Sequence, residues 1–139
     1  MTSEAPRIYP SLRYRDAPAA IAFLKAAFDL REVVVYPNPD GTIAHAELSY
    51  GPSVVMLGSE KDDQYGEHAG KGWLYVAVDD ADAHYARARA AGADIMTELH
   101  ETDYGSRDYT ARDLEGNIWN FGTYRPAATQ SEASLSASN

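Results

Sequence analysis

The chain has no cysteine among its 139 residues, which removes disulfides, thiolate nucleophiles and cysteine-held zinc from consideration. Long apolar runs are missing too, since nothing approaches the roughly 20 residues that a bilayer-crossing helix needs. The opening MTSEAPRIYP carries no basic stretch followed by an apolar one, so a cytoplasmic location is expected. Positive charge is scarce. With 12 basic residues against 21 acidic, the formal net charge is −9, and a phosphate backbone would be repelled. Neither nucleic acid nor membrane is expected as a partner. Common catalytic signatures are absent as well: there is no glycine-rich phosphate loop, no G-x-S-x-G elbow, and no HExxH spacing among His45, His68, His84 and His100.

What is present is a repeat. A shift of 64 residues lays Asp16, Ala17, Ala19, Ala22, Ala26 and Ala27 on Asp80, Ala81, Ala83, Ala86, Ala90 and Ala91. The same shift lays Gly51-Pro-Ser-Val-Val-Met-Leu-Gly-Ser59 on Glu115-Gly-Asn-Ile-Trp-Asn-Phe-Gly-Thr123, a turn and an apolar strand in each. Both copies read as strand, helix and three strands. In the first, Ile8 to Tyr14 alternates, and Asp16 caps a helix with Pro18 in its first turn and Ile21, Leu24, Ala27 and Phe28 on its apolar stripe. Strands follow at Glu32 to Pro37, Thr42 to Tyr50 and Ser53 to Leu57. The second copy runs Gly72 to Val78, a helix over Ala81 to Ala91, then strands at Asp94 to Leu99, Tyr104 to Asp113 and Asn117 to Thr123. The fold class is therefore α+β: two βαβββ modules whose cupped mixed sheets carry their helices on the outer face. A short flexible N-terminus (1–7), one domain (8–125, with modules at about 8–59 and 72–124) and a disordered Ala/Ser-rich tail (126–139) complete the expected layout.

With this order in place, the stretches "RYRDAPAAIAFLKAAFDL", "HAELSYGPSVVMLGSE", "WLYVAVDDADAHYARARAAGAD" and "YGSRDYTARDLEGNIWNF" resemble the vicinal oxygen chelate superfamily. That superfamily comprises glyoxalases, dioxygenases and bleomycin-resistance proteins, and the likeness is nearest to bleomycin-resistance and PhnB-like members. It implies a homodimer and metal ligands on the first and last strands of each module. The implied ligand positions are Tyr9, Met56, Trp73 and Asn120. Trp has no lone pair to give and a thioether is soft, so this set does not suit a hard divalent cation, and no cofactor is expected. The rival metal site is His45 with Glu47, two apart on one strand and thus on one face, with His100 or Asp103 as further donors.

The face opposite each helix is the place for function. Alternation puts Tyr9, Ser11, Arg13, Met56, Trp73, Tyr75, Ile118 and Asn120 there, and Leu12, Tyr14, Leu74, Val76, Trp119 and Phe121 against the helices. Tyr36, Tyr104 and Tyr109 are expected at the rim, His84 on a solvated helix face, and the polar loop Ser59 to Lys71 as a lid. Rings beside a few hydrogen-bonding groups suit a small aromatic ligand, with or without the positive charge that ring faces attract. Each ring can equally be core, and Arg107, Asp108 and Arg112 are expected to form cross-strand ion pairs. No residue is assigned a catalytic role. Sequestration, as in drug resistance, is the expected activity, with a glyoxalase-like lyase, isomerase or epimerase as the alternative.

Overall fold

Two aspartates start the two helices. Asp16 accepts a hydrogen bond from the Ala19 backbone N–H (3.2 Å) and Asp80 from that of Ala83 (3.0 Å), caps worth about 1 kcal/mol each. The computed structural model describes residues 5–129; residues 1–4 of the expected N-terminus and 130–139 of the expected tail lie outside them. Its order is β1 (Ser11–Tyr14), α1 (Ala17–Ala27), β2 (Arg31–Pro37), β3 (Ile43–Tyr50), β4 (Ser53–Ser59), β5 (Trp73–Ala77), α2 (Ala81–Ala90), β6 (Asp94–Glu101), β7 (Arg107–Arg112) and β8 (Ile118–Gly122). Strand, helix and three strands occur twice, as expected.

Each module closes its own four-stranded sheet, ordered β1-β4-β3-β2 and β5-β8-β7-β6. The β1–β4 and β5–β8 pairs are parallel and the others antiparallel, so both sheets are mixed. Ser11 lies opposite Met56, and Tyr75 opposite Asn120, so the 64-residue shift holds in the register itself.

A single core lies on the helix side of both sheets. Tyr14, Leu48 and Leu57 supply it from the first sheet and Tyr109, Trp119 and Phe121 from the second, all buried. Phe28, just past α1, joins the modules by packing its ring 5.4 Å from Trp119 and 4.8 Å from Phe121, contacts worth about 1 kcal/mol each beyond their buried area. The hairpin after β7 ties the ends together. Gly116 turns it at φ +100°, and Asp113 gathers donors from Tyr14, Glu115, Asn117 and Trp119.

His84 corrects one expectation. It is buried, not solvated: its Nδ1 accepts from the Tyr109 hydroxyl (2.5 Å) and its Nε2–H donates to the Phe28 carbonyl (2.9 Å). The reason is spacing. Ala81, His84 and Ala88 form the buried stripe of α2, and beside two alanines the imidazole is the one side chain large enough to fill the gap to Phe28.

Candidate functional site

With the helix sides of the sheets packed together, their other faces are left open, and register decides what stands on each. On the second sheet, one row runs Trp73, Ile118, Arg112, Asp94 and the next Tyr75, Asn120, Thr110, Thr97. A third pairs Gly122 with Asp108 and Asp108 with His100. Trp73 is 78% exposed, whereas Trp119 on the opposite face of the same sheet is 0% exposed. A large ring held in the open by a strand is a platform rather than core.

The second row carries an unusual amide. The Asn120 side-chain Oδ1 is buried and has no hydrogen-bond partner among the described residues. Such an orphan costs about 1–3 kcal/mol until a partner arrives. Beside it, Tyr75 donates its hydroxyl to the Tyr124 carbonyl (2.5 Å), and burial, followed by the charge of Asp108, pushes its pKa up to about 12. Asp108 itself is 4% exposed, accepting from Ser106 Oγ and from the Tyr104 hydroxyl (3.2 Å). Gly122 makes this possible: a methyl group there would overlap the Asp108 carboxylate and stand 2.8 Å from Tyr75 Oη.

On the first sheet, Ser11, Met56 and Glu47 share a row. His45 Nε2 bonds Glu47 Oε2 (2.9 Å), and Tyr36 stacks over the imidazole at 6.3 Å between ring centres. A pocket of about 260 Å³ runs from His45 past Gly58 to Arg13. Arg13 does not present a free guanidinium to it. The side chain grips Asp63 through two bonds (2.7 and 3.1 Å) and Glu60 through a third (3.2 Å), and both carboxyls are held below their ordinary range, Asp63 chiefly by Arg13 and Glu60 chiefly by the His68 amide. The loop expected to act as a lid is therefore fastened over this end of the sheet, with Glu60 also accepting from the His68 and Ala69 amides (2.9 and 2.8 Å).

The residues expected to share one cup thus divide between two sheets. Ser11, Arg13, His45, Glu47 and Met56 stand on the first, and Trp73, Tyr75, Ile118 and Asn120 on the second. Tyr9 belongs to neither, because β1 begins at Ser11 and the Tyr9 hydroxyl bonds the Pro6 carbonyl (2.5 Å). Tyr109 is corrected outright: it is 0% exposed, since its place opposite Phe121 turns it toward the helices and not the rim. Tyr104 is exposed but sits in the turn before β7, reaching Asp108 from there. Between the modules, a groove of about 510 Å³ is lined by Ile8, Pro10, Val54, Leu74, Tyr75 and Trp119.

Asp108 and Thr110 are the open-face residues that reading the sequence passed over. Their signal was available: Asp108, Thr110 and Arg112 are polar at period two while Tyr109 and Ala111 are apolar. The arginines of this stretch do form ion pairs, Arg107 with Asp82 (2.5 Å) and Glu101 (3.3 Å), and Arg112 with Asp94 (3.4 Å). Asp108 instead takes hydroxyl donors.

As metal ligands, Tyr9, Met56, Trp73 and Asn120 are a poor set on chemistry alone, offering one amide oxygen, one phenol and two groups unsuited to a hard cation. His45 and Glu47 are better donors but are two from one strand, and no group of three or more His, Asp or Glu suited to a metal ion occurs among the described residues.

Comparison with known proteins follows the same lines. Residues 8–121 match the family model described as Glyoxalase/Bleomycin resistance protein/Dioxygenase superfamily. An uncharacterized protein of Mycobacterium bovis is 33% identical over 128 residues, covering 84% of this chain and 82% of its own. Among solved structures, TioX from Micromonospora sp. ML1 is 34% identical with a TM-score of 0.74, over 86% of this chain and 99% of that one. Lactoylglutathione lyase from Agrobacterium tumefaciens has the same fold at a TM-score of 0.64 and 22% identity, over 87% of this chain and 95% of that one.

Proposed function

The chain belongs to the Glyoxalase/Bleomycin resistance protein/Dioxygenase superfamily, and from that premise we propose that it is a metal-independent binding protein that sequesters a small aromatic, cationic molecule. One observation carries this reading: where the family pattern implies ion-gripping residues, the chain has Tyr9, Met56, Trp73 and Asn120, and Trp73 stands 78% exposed beside Tyr75 and Ile118. Rings give contact area at small entropic cost, and Met56 adapts to outline. Capture needs no base or nucleophile, only tight burial, and a second copy closing over the open faces as a homodimer would supply the missing walls. The test is a thermal-shift screen against aromatic drugs and metabolites, with binding followed by tryptophan fluorescence. Stabilisation by one compound class, lost on Trp73→Ala, is the expected result, and a screen in which no aromatic compound shifts Tm would refute it.

A second reading is favoured by one specific feature. The bond between His45 and Glu47 orients an imidazole on an open face, as a glyoxalase-like lyase, isomerase or epimerase would require of a metal ligand or a base. About one tightly held divalent ion per purified chain, lost on His45→Ala, would replace the first reading with this one.

A further inference from the structure

The open face of the second sheet changes character along its strands. Its first row offers the Trp73 ring and Ile118, its second Asn120, whose Oδ1 has no partner, beside Tyr75, and its third the buried Asp108. Asn120 and Asp108 are diagonal neighbours on adjacent strands, about 7–8 Å apart at Cα. An amide can turn either its oxygen or its nitrogen to a ligand by rotating about χ2, so Asn120 alone does not choose between a donor and an acceptor. Its surroundings choose. Asp108 is a buried carboxylate held by two hydroxyls, with the Tyr75, Tyr104 and Tyr124 rings beside it: Tyr104 lies 5.9 Å and Tyr75 6.5 Å from Tyr124 between ring centres. The other charged or titratable groups on this face are already engaged, Arg112 with Asp94 (3.4 Å) and His100 with the Glu98 carbonyl (2.9 Å). Negative charge and ring faces both favour a cation.

We propose that this face takes an arylalkylammonium ion, its ring laid on Trp73 and Ile118, its ammonium N–H donated to the Asn120 amide oxygen once rotation about χ2 turns that oxygen outward, and the sign of its charge selected by Asp108. Two residues along a strand advance about 6.6 Å, roughly the reach from an aromatic ring across a two-carbon arm to its nitrogen. The proposal rests on the capture reading above and names the ligand class of that site.

Three probes separate its parts. Titrations of the full chain with 2-phenylethylamine, trimethyl(2-phenylethyl)ammonium and 3-phenylpropionate are followed by tryptophan fluorescence, in which Trp73 responds and buried Trp119 is the constant background. The primary ammonium is expected to bind about tenfold more tightly than its trimethyl analogue, which keeps the charge but has no N–H to donate. The propionate is expected to be weakest. Asn120→Leu should erase the difference between the two cations, and Asp108→Asn should narrow the gap between cation and anion while keeping an acceptor for Ser106 and Tyr104. Circular dichroism and Tm confirm that each variant is folded. Equal binding of the two cations, or a difference that survives Asn120→Leu, overturns the proposal. If none of the three binds while a neutral aromatic from the screen does, the ammonium proposal falls and capture stands; if no aromatic compound binds, both fall.

Discussion

Replacing Asp113 with alanine removes the acceptor on which the last hairpin is built. Its carboxylate receives five donors: the amides of Glu115 (3.0 Å) and Asn117 (3.1 Å) at Oδ1, and Asn117 Nδ2 (3.0 Å), Trp119 Nε1 (3.0 Å) and the Tyr14 hydroxyl (2.6 Å) at Oδ2. The Glu115 amide lies in a half-buried turn and can turn to water. Tyr14, Asn117 and Trp119 are fully buried and cannot. At about 1–3 kcal/mol for each stranded donor, and with partial relaxation, the expected loss is about 3–5 kcal/mol, a large share of the roughly 5–15 kcal/mol that holds a domain of this size together. Urea unfolding followed through Trp119 fluorescence measures it as a lower midpoint at unchanged m. A loss under about 1 kcal/mol would refute the hub. The double-mutant cycle is sharper still. Tyr14→Phe alone should destabilise by about 1 kcal/mol, but in the Asp113→Ala background it removes an orphaned donor and should cost nothing. Strict additivity of the two changes would show that the bond carries no energy.

Burial lowers the His84 pKa in the fold below the value near 6.5 at which the unfolded chain takes up a proton. Stability should therefore fall as pH drops below about 6.5, and His84→Gln should flatten urea midpoints measured between pH 7.5 and 5.5; an unchanged slope would remove His84 from the account. Arg13→Ala should free the loop it fastens, so that amide exchange at His68 and Ala69 and tryptic cleavage after Lys61 both accelerate. Unaltered exchange would mean that Glu60 holds the loop without the arginine. Gly122→Ala should cost about 1–3 kcal/mol by overpacking, because its methyl would displace the Asp108 carboxylate and crowd Tyr75 Oη. A variant of wild-type Tm would show that this end of the sheet is loose.

Much of the architecture was legible because two periodicities carry it. Leu12 with Tyr14, Leu74 with Val76 and Trp119 with Phe121 alternate with neighbours on the open face, and each pair packs on the core; the 64-residue shift then locates the second module from the first. Tyr109 faces the core and not the rim because it shares parity with Ala111 and alternates with Asp108 and Thr110, a pattern already present in the sequence. His84 was misplaced by its polarity, although it falls three residues after Ala81 and four before Ala88 on a stripe that needed volume. Other features have no local signature at all. The partner of Tyr14 is Asp113, 99 residues away, and the grip of Arg13 on Asp63 spans 50, so neither can be inferred from spacing. Asn120 lies between these cases: period two places it on the open face, between Tyr75 and Thr110 in register, but nothing in the spacing says that its Oδ1 lacks a partner. A buried acceptor left unpaired costs stability, and a cost of that kind is one that proteins keep where another function requires the group.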